Sequence, residues 1–175
     1  MKIFKMTVDE LVEKITEIKV GDRVLLSGTV YTARDAAHKK LCEMIKSGRE
    51  LPFVLKNSAV YYAGPTPTPE HLSIGSCGPT TSIRMDAYAP LLLDHGLKIM
   101  IGKGQRTKPV IDSMIKNSAV YLCAIGGAGA LAAKCITECE VIAFDELGCE
   151  SVKKLRFADF PLIVGIDAFG NSLFK

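Results

Sequence analysis

The sequence contains no tryptophan, only three histidines, and no apolar run that approaches the roughly 18 residues of a membrane-spanning helix. It therefore predicts no transmembrane segment. The amino-terminal stretch MKIFKMTVDELVEKI carries acidic residues early and has no continuous apolar core, so we expect no secretory signal peptide there. With neither signal present, the expected location is the cytoplasm.

A strong charge of one sign is also missing. Lysine and arginine total 22 against 19 aspartates and glutamates, which leaves a net charge of +3 with both signs mixed along the chain. Such a mild balance predicts neither a nucleic-acid partner nor binding to a membrane surface. The 175 residues, 48% of them hydrophobic and 23% charged, have the composition of one globular domain, which we place at residues 1–175.

No C-x-x-C pair occurs among the six cysteines. In a reducing cytosol they should be free thiols, and apolar neighbours such as those in VYLCAI favour small core side chains. A loose metal set of Cys135, Cys139 and Cys149 stays open as an alternative, because C-x3-C spacing places two sulfurs on one face of a helix.

Strands and helices are predicted to alternate along the chain, which is typical of an α/β fold. Strands are expected over residues 23–31, 59–63, 98–101, 119–125, 141–144 and 162–166. Helices are expected over about residues 7–15, 32–46, 81–95, 107–117 and 131–136. The segment GPTPTP is compatible with neither a helix nor a central strand, so it is predicted to be an exposed loop.

Local signals mark the starts of two helices. Thr7 and Glu10 have the spacing of a capping box for the first helix, and Thr32 with Asp35 is expected to do the same for the second.

Two residues should distort the elements that contain them. Gly28 within the first strand indicates a bulge or a close backbone approach. Pro90 should kink or split the helix over residues 81–95 near Ala89, because proline removes a backbone donor and clashes with the preceding turn.

Three cations share one local context. Arg34 in TARDAAH and Arg84 in TTSIRMD fall in the first turns of predicted helices, and Lys103 lies between two glycines after a strand. A helix amino terminus already carries partial positive charge, so a cation there is unfavourable unless an anion offsets it. Arginine clamps carboxylates bidentately, while amides and the hydroxyls of Thr80 and Thr81 take the remaining contacts. The pattern predicts a pocket for a small dicarboxylate, with three solvated surface cations as the alternative.

The segments SGTVYTARDAAHKKL, IGSCGPTTSIRMD and IGKGQRT resemble the C-terminal domain, or separate beta subunit, of class I iron–sulfur fumarases and L(+)-tartrate dehydratases. The resemblance covers nearly the whole chain, and GPTT-x-x-RMD with the downstream GKG is specific for this family. It implies a swivelling β/β/α domain, that is, a single domain with a mixed sheet and flanking helices.

The same resemblance implies a partner. An alpha subunit, or an N-terminal domain, would hold a 4Fe–4S cluster through three cysteines, and the cluster is not expected in this chain. Alone, the chain should therefore be inactive. The expected assembly is a heteromer, either a heterodimer or a pair of heterodimers, and a homodimer of this chain stays open as an alternative.

The family also implies roles for individual residues. Arg34 and Arg84 would hold substrate carboxylates together with Thr81, and Lys103 would add a further contact. Thr80 would be the base that removes a proton from the carbon next to a carboxylate, although it could instead be a simple helix cap. The implied activity is a hydro-lyase that interconverts fumarate and L-malate, as in the tricarboxylic acid cycle, with L(+)-tartrate dehydration as the alternative.

A rival interpretation comes from AIGGAGALAA. Its segment Gly127–Ala132 fits G-x-G-x-x-A after a strand and at the start of a helix, and Asp145 follows, as in dinucleotide-binding folds. The other interpretation makes Gly126–Gly129 a tight glycine turn that lines the pocket or faces the partner.

Three remaining features are assigned less specific roles. His38, next to two lysines, is expected to be solvated on its helix, although substrate is within its reach. Cys77 has no histidine adjacent in sequence, which argues against a covalent nucleophile. The cluster of Lys153, Lys154 and Arg156 is predicted to form a solvated basic face.

Overall fold

Seven strands and five α-helices make up the protein over residues 1–174, the part of the chain that the computed structural model describes. The strands are β1 (Ile3–Thr7), β2 (Arg23–Thr32), β3 (Ala59–Tyr61), β4 (Ile99–Gly102), β5 (Val120–Cys123), β6 (Ile136–Ala143) and β7 (Val152–Ile166). The helices are α1 (Val8–Glu13), α2 (Asp35–Lys46), α3 (Ala89–Asp94), α4 (Lys108–Asn117) and α5 (Gly129–Lys134), with 3-10 turns at Ser82–Met85 and Asp145–Glu150. Over these residues, no helix has both the length and the apolar character that crossing a bilayer requires.

The strand pairings close into a ring. Strands β2, β3, β4 and β5 are neighbours in that order and run parallel, and β7 pairs antiparallel with both β5 and β2. Outside this ring, β1 extends β2 in parallel and β6 extends β7 in antiparallel fashion. The predicted α/β class, with a mixed sheet and flanking helices, is confirmed.

Side chains that alternate along the strands build two apolar layers. One layer contains the stacked rings of Phe157 and Phe160, whose centroids lie 4.2 Å apart, together with Tyr61 and Leu122. The other layer packs the opposite face of the parallel strands, including Tyr62, beneath helices α2, α3 and α4. Because both faces are covered, β3 and β4 are buried at every residue, which explains their continuous apolar sequences.

Several local predictions are confirmed. Thr7 and Glu10 form the capping box of α1, with the Thr7 amide donating to Glu10 Oε2 at 2.7 Å and the Glu10 amide donating to Thr7 Oγ1 at 3.2 Å. The register of β2 against β7 shifts between Leu26 and Gly28, and Gly28 has a φ of +113°, a left-handed value that favours glycine. The segment 81–95 splits into a 3-10 turn and α3, which begins at Ala89.

The predicted cap of α2 is wrong. The N-cap residue is Arg34, and its side chain makes no capping hydrogen bond. Thr32 is the last residue of β2 and is fully buried, so its hydroxyl donates to the Ser151 carbonyl at 3.3 Å and accepts the Lys153 amide at 3.0 Å. The Thr32 hydroxyl is therefore hydrogen-bonded to the start of β7, and not to the first turn of α2 as the sequence pattern predicts.

The two carboxyl-terminal strands are longer than predicted. Residues 152–161 were not predicted as strand, yet β7 runs over Val152–Ile166 and contacts β2, β5 and β6. Similarly, β6 begins at Ile136, where the sequence predicts the end of a helix. Charged and apolar residues alternate along much of β7, as expected of a strand with one exposed face, whereas β6 lies at the edge of the sheet and most of its residues are exposed or half-buried.

Candidate active site

Loops from four parallel strands meet at one edge of the sheet. Arg34 follows β2, the segment carrying Thr80 and Arg84 follows β3, Lys103 follows β4, and residues 124–129 follow β5. Neighbouring parallel strands present their carboxyl ends at the same edge, which is where α/β folds, closed as well as open, bind ligands. The topology thus gathers the predicted site residues from positions far apart in the sequence.

Arg34 and Arg84 converge on one carboxylate. Arg84 Nε donates to Asp35 Oδ1 at 2.9 Å, and Arg34 Nη2 lies 3.8 Å from Asp35 Oδ2. Arg34 Nη2 also lies 3.3 Å from Glu150 Oε1, while the buried Arg34 Nε has no partner among the described residues. The two side chains are 21% and 51% exposed, respectively, so guanidinium donors of both remain available to an anion at the surface.

Thr80, Thr81 and Lys103 are brought together by backbone pairing. Thr81 and Lys103 form an isolated parallel β-bridge, and the Ser82 amide donates to the Lys103 carbonyl at 2.9 Å. In return, the Lys103 amide donates to Ser82 Oγ at 3.1 Å. The Thr80 amide donates to the Tyr62 carbonyl at 2.6 Å, which anchors the segment to the end of β3. All five residues of the predicted pocket therefore lie at the same edge.

The glycine loop after β5 packs against this edge. A Cβ on Gly126 would stand 3.4 Å from Lys103 Cδ, and the Gly129 carbonyl accepts the Cys77 amide at 3.1 Å. A Cβ on Gly129 would stand only 2.3 Å from Ser76 Oγ, so a side chain there would displace the neighbouring loop. These contacts support a glycine turn that lines the pocket.

The dinucleotide interpretation lacks the strands it needs. A dinucleotide site requires further parallel strands beyond its glycine motif. Here α5 covers only Gly129–Lys134, and the strand that follows, β6, pairs with β7 in antiparallel fashion.

Sequence analysis missed a buried ion pair that connects two of the motifs. Arg106 Nε donates to Asp86 Oδ1 at 2.7 Å, and the Thr107 amide donates to Asp86 Oδ2 at 2.6 Å. The two side chains are 0% and 6% exposed, and the guanidinium lies about 5 Å from the ring centroids of Tyr62 (5.3 Å) and Tyr121 (5.1 Å). The pair ties the RMD segment to the loop that carries Lys103. The sequence offers one signal for this pair: Asp86 lies in the RMD motif and Arg106 lies in IGKGQRT.

His38 is buried rather than solvated. Its side chain lies beneath α2, and the ring meets the Tyr62 ring edge-on with centroids 5.2 Å apart. Burial lowers the pKa of His38 to about 4, so the imidazole is neutral near pH 7. Since a carbonyl only accepts, Nδ1–H donates to the Arg34 carbonyl at 2.9 Å. This hydrogen bond therefore helps to fix the backbone of Arg34 at the start of α2.

The cysteines form no metal site in the described part of the chain. All six are free thiols, and no three His, Cys, Asp or Glu side chains in residues 1–174 are grouped to hold a metal ion. Cys135 ends α5 and Cys139 lies in β6, so the two do not share a helix face. Burial raises the pKa of Cys77 to about 12, which keeps it a thiol and disfavours nucleophilic chemistry.

The comparisons with known proteins agree with these motifs. A family model described as Fumarase C-terminus matches residues 2–175. This α/β domain therefore falls within a recognised protein family. The chain belongs to the fumarase C-terminus family.

Individual relatives include both long and short proteins. The chain is 43% identical over 173 residues to fumarate hydratase 2 of Leishmania major and 42% identical over 168 residues to the anaerobic class I fumarate hydratase of Escherichia coli K12. These alignments cover 98% and 95% of this chain but only 30% and 31% of the relatives. A Methanocaldococcus jannaschii protein, provisionally named L(+)-tartrate dehydratase subunit beta, is 40% identical, with 97% of this chain and 90% of the relative covered. The chain therefore corresponds to less than a third of each long protein and to most of the short one.

Proposed function

We propose that this chain is the beta subunit, or the equivalent C-terminal domain, of a hydro-lyase that reversibly hydrates a four-carbon dicarboxylate. The observation that carries the proposal is the pair Arg34 and Arg84, which share Asp35 at the edge where four strands end. Interconversion of fumarate and L-malate, a step of the tricarboxylic acid cycle, is the favoured activity because most of the long relatives are named fumarate hydratases. Dehydration of L(+)-tartrate is the second candidate, since a relative of matching length carries that name.

The charges explain how these residues would act. Arg34 and Arg84, with Thr81, bind the substrate carboxylates, and Lys103 adds a cation beside them. When a proton leaves the adjacent carbon, negative charge spreads into that carboxylate, and fixed cations stabilise it without reorganisation. Backbone pairing and the buried Asp86–Arg106 pair hold the cation-bearing loops in place before substrate arrives.

Thr80 is proposed as the base that accepts this proton. A threonine hydroxyl is weakly basic, so its alkoxide needs nearby positive charge. Lys103, paired with the adjacent Thr81, and Arg84, four residues along the chain, supply that charge.

The alternative role of Thr80 as a helix cap is wrong, because the N-cap of the 3-10 turn that follows is Thr81 and it makes no side-chain cap hydrogen bond. Substituting Thr80 therefore tests its catalytic role. We expect Thr80→Val in the assembled enzyme to lower kcat at least about a hundredfold with little change in KM, because a general base contributes typically 10²- to 10⁴-fold. Thr80→Ser keeps a hydroxyl and should retain most of the rate. Steady-state kinetics with L-malate measure both, and a valine variant with normal kcat would leave Thr80 as a structural residue only.

The residues of this chain do not fit a 4Fe–4S cluster, because no suitable group of ligands occurs in residues 1–174. We propose that the cluster lies on an alpha subunit, as the family resemblance implies. The steps assigned to this chain are accordingly carboxylate binding and proton transfer. The six free thiols support a reducing, cytoplasmic location for the complex, as a heterodimer or a pair of heterodimers.

Reconstitution tests the proposal. We expect the isolated chain to show no turnover, and anaerobic mixing with a co-expressed alpha subunit to restore turnover of L-malate, L(+)-tartrate or both. The ratio of kcat/KM for the two acids then assigns the substrate. Turnover by the isolated chain, or a stable complex that converts neither acid, would contradict the proposal. Calorimetry with a nicotinamide dinucleotide tests the rival interpretation.

A further inference from the structure

Lys153 is a buried lysine with no carboxylate partner among the described residues. It is only 7% exposed, whereas the next residue on β7, Lys154, is exposed, because successive strand side chains point to opposite faces. The predicted solvated basic face is therefore wrong for Lys153. Burying an ammonium group is costly unless other polar groups replace its water.

Four oxygen atoms replace that water, and all belong to one turn. Lys153 Nζ donates to Ser151 Oγ at 2.7 Å and contacts the carbonyls of Gly148 and Cys149 at 3.2 Å and of Ser151 at 3.3 Å. We call these atoms the lysine cage. Because one ammonium joins three of the four carbonyl groups of residues 148–151, it fixes the conformation of this turn. The Thr32 hydroxyl, which donates to the Ser151 carbonyl, attaches the same turn to the end of β2.

The turn presents Glu150 to the candidate site. Glu150 Oε1 lies 3.3 Å from Arg34 Nη2, and Oε2 accepts the Ala36 amide at 2.9 Å. Since Arg34 provides no side-chain cap for α2, Glu150 supplies the missing acceptor from outside the helix. One carboxylate thus caps α2 and orients the guanidinium of Arg34.

Gly64 restricts Arg34 from another side. A Cβ on Gly64 would stand 3.0 Å from both Cδ and Nη1 of Arg34 and 3.1 Å from the Cys149 carbonyl. The arginine side chain is therefore held between this glycine and the turn, and displacement of the turn would change where the guanidinium lies.

We propose that Lys153 is a positioning residue for substrate binding: it orders the 148–151 turn, and the turn holds Glu150 against Arg34. The connection from Lys153 to Glu150 and α2 is structural, while its effect on substrate rests on the proposed function of Arg34. Small displacements of binding groups by distant substitutions reduce rates substantially, about a hundredfold for 1 Å.

The structural connection is tested by amide hydrogen exchange in the full chain. Lys153→Met should raise the exchange rate of the Ala36 amide about tenfold, because its acceptor Glu150 is no longer held. Ser151→Ala, which removes the shortest contact of the cage, should raise it less and serves if the methionine variant does not fold. Lys154→Met is the matched control and should leave exchange unchanged. An unchanged exchange rate of the Ala36 amide in folded Lys153→Met would overturn the proposal. If Lys153→Met does not fold, an unchanged rate in Ser151→Ala would overturn it instead.

The effect on substrate is tested by a double-mutant cycle in the assembled enzyme. Lys153→Met and Glu150→Gln should each raise KM for the substrate about tenfold with kcat changed less than about threefold, because the carboxylate held by Arg34 is already charged in the ground state, while Arg84 and Lys103 still stabilise the charge that develops on proton removal. The double variant should be no worse than Glu150→Gln alone. Additive effects would show that Lys153 does not act through Glu150, and an unchanged KM would show that it does not position Arg34. A wild-type complex that converts neither acid would overturn the proposed function, while the exchange result would still decide the structural connection.

Discussion

We expect Arg84→Ala in the assembled enzyme to lower kcat/KM for the dicarboxylate by about a hundred- to a thousandfold, the usual cost of deleting one preorganised group that stabilises developing charge. The large effect is expected because Arg84 is one of two arginines that share Asp35, and the deletion leaves that carboxylate facing the substrate. Steady-state kinetics at fixed ionic strength measure the loss.

The same substitution should leave folding and assembly intact. The Arg84 side chain is 51% exposed, and ion pairs at such exposure contribute little to stability, typically below about 1 kcal/mol. Arg49→Ala is a matched control, because Arg49 is an exposed arginine beyond the end of α2 and away from the sheet edge. Wild-type kinetics in a folded Arg84→Ala complex would show that the carboxylate site lies elsewhere.

Replacing Asp86 by alanine should destabilise the protein by about 3–5 kcal/mol, the cost of leaving one charge of a buried pair without its partner. The Arg106 side chain is 0% exposed, so water cannot replace the lost carboxylate, and the Thr107 amide loses its acceptor as well. Equilibrium urea unfolding of the isolated chain gives the change in the free energy of unfolding.

An exposed ion pair in the same region provides the comparison. Lys108 and Asp112 lie 2.7 Å apart with side chains 83% and 56% exposed, so Asp112→Ala should cost less than about 1 kcal/mol. Asp86→Met combined with Arg106→Met should recover much of the stability lost in Asp86→Ala, because no charge is then buried. If Asp86→Ala and Asp112→Ala had equal effects, the buried pair would not be what holds the Lys103 loop to the RMD segment.

The two arginines of the site illustrate how far sequence reasoning extends. The sequence selects Arg34 and Arg84 as cations in the first turns of helices, where an anion is needed to offset the helix charge. That placement holds for Arg34, the N-cap of α2, but is wrong for Arg84, which lies near the end of a four-residue 3-10 turn. Their common partner Asp35 is adjacent to Arg34 in sequence, yet its contact with Arg84 spans 49 residues and depends on the order of β2 and β3. The catalytic and binding roles of these residues remain predictions.

Three charged or polar side chains were misassigned for one shared reason. Thr32, His38 and Lys153 were each assigned from their sequence neighbours, as a helix cap, a solvated ring and a solvated cation. In the fold all three are buried by elements distant in sequence, although only Thr32 has distant hydrogen-bond partners: His38 donates to Arg34, four residues away, and Lys153 to residues 148–151. Burial depends on what packs against a residue, and local composition does not contain that information.

The sequence by itself determined the local features of this protein: the Thr7–Glu10 capping box, the bulge at Gly28, the break before α3, and the chemistry of the motif residues. Each depends on groups a few positions apart, whose geometry follows from backbone sterics and hydrogen bonding. Only the tertiary structure decided the closure of the strand ring by β7, the buried Asp86–Arg106 pair, and the support of Arg34 by Glu150 and Lys153. Those contacts join residues up to 140 positions apart, as Arg23 and Ile163 are, and they form only when apolar burial brings the strands together and removes water from the charges between them.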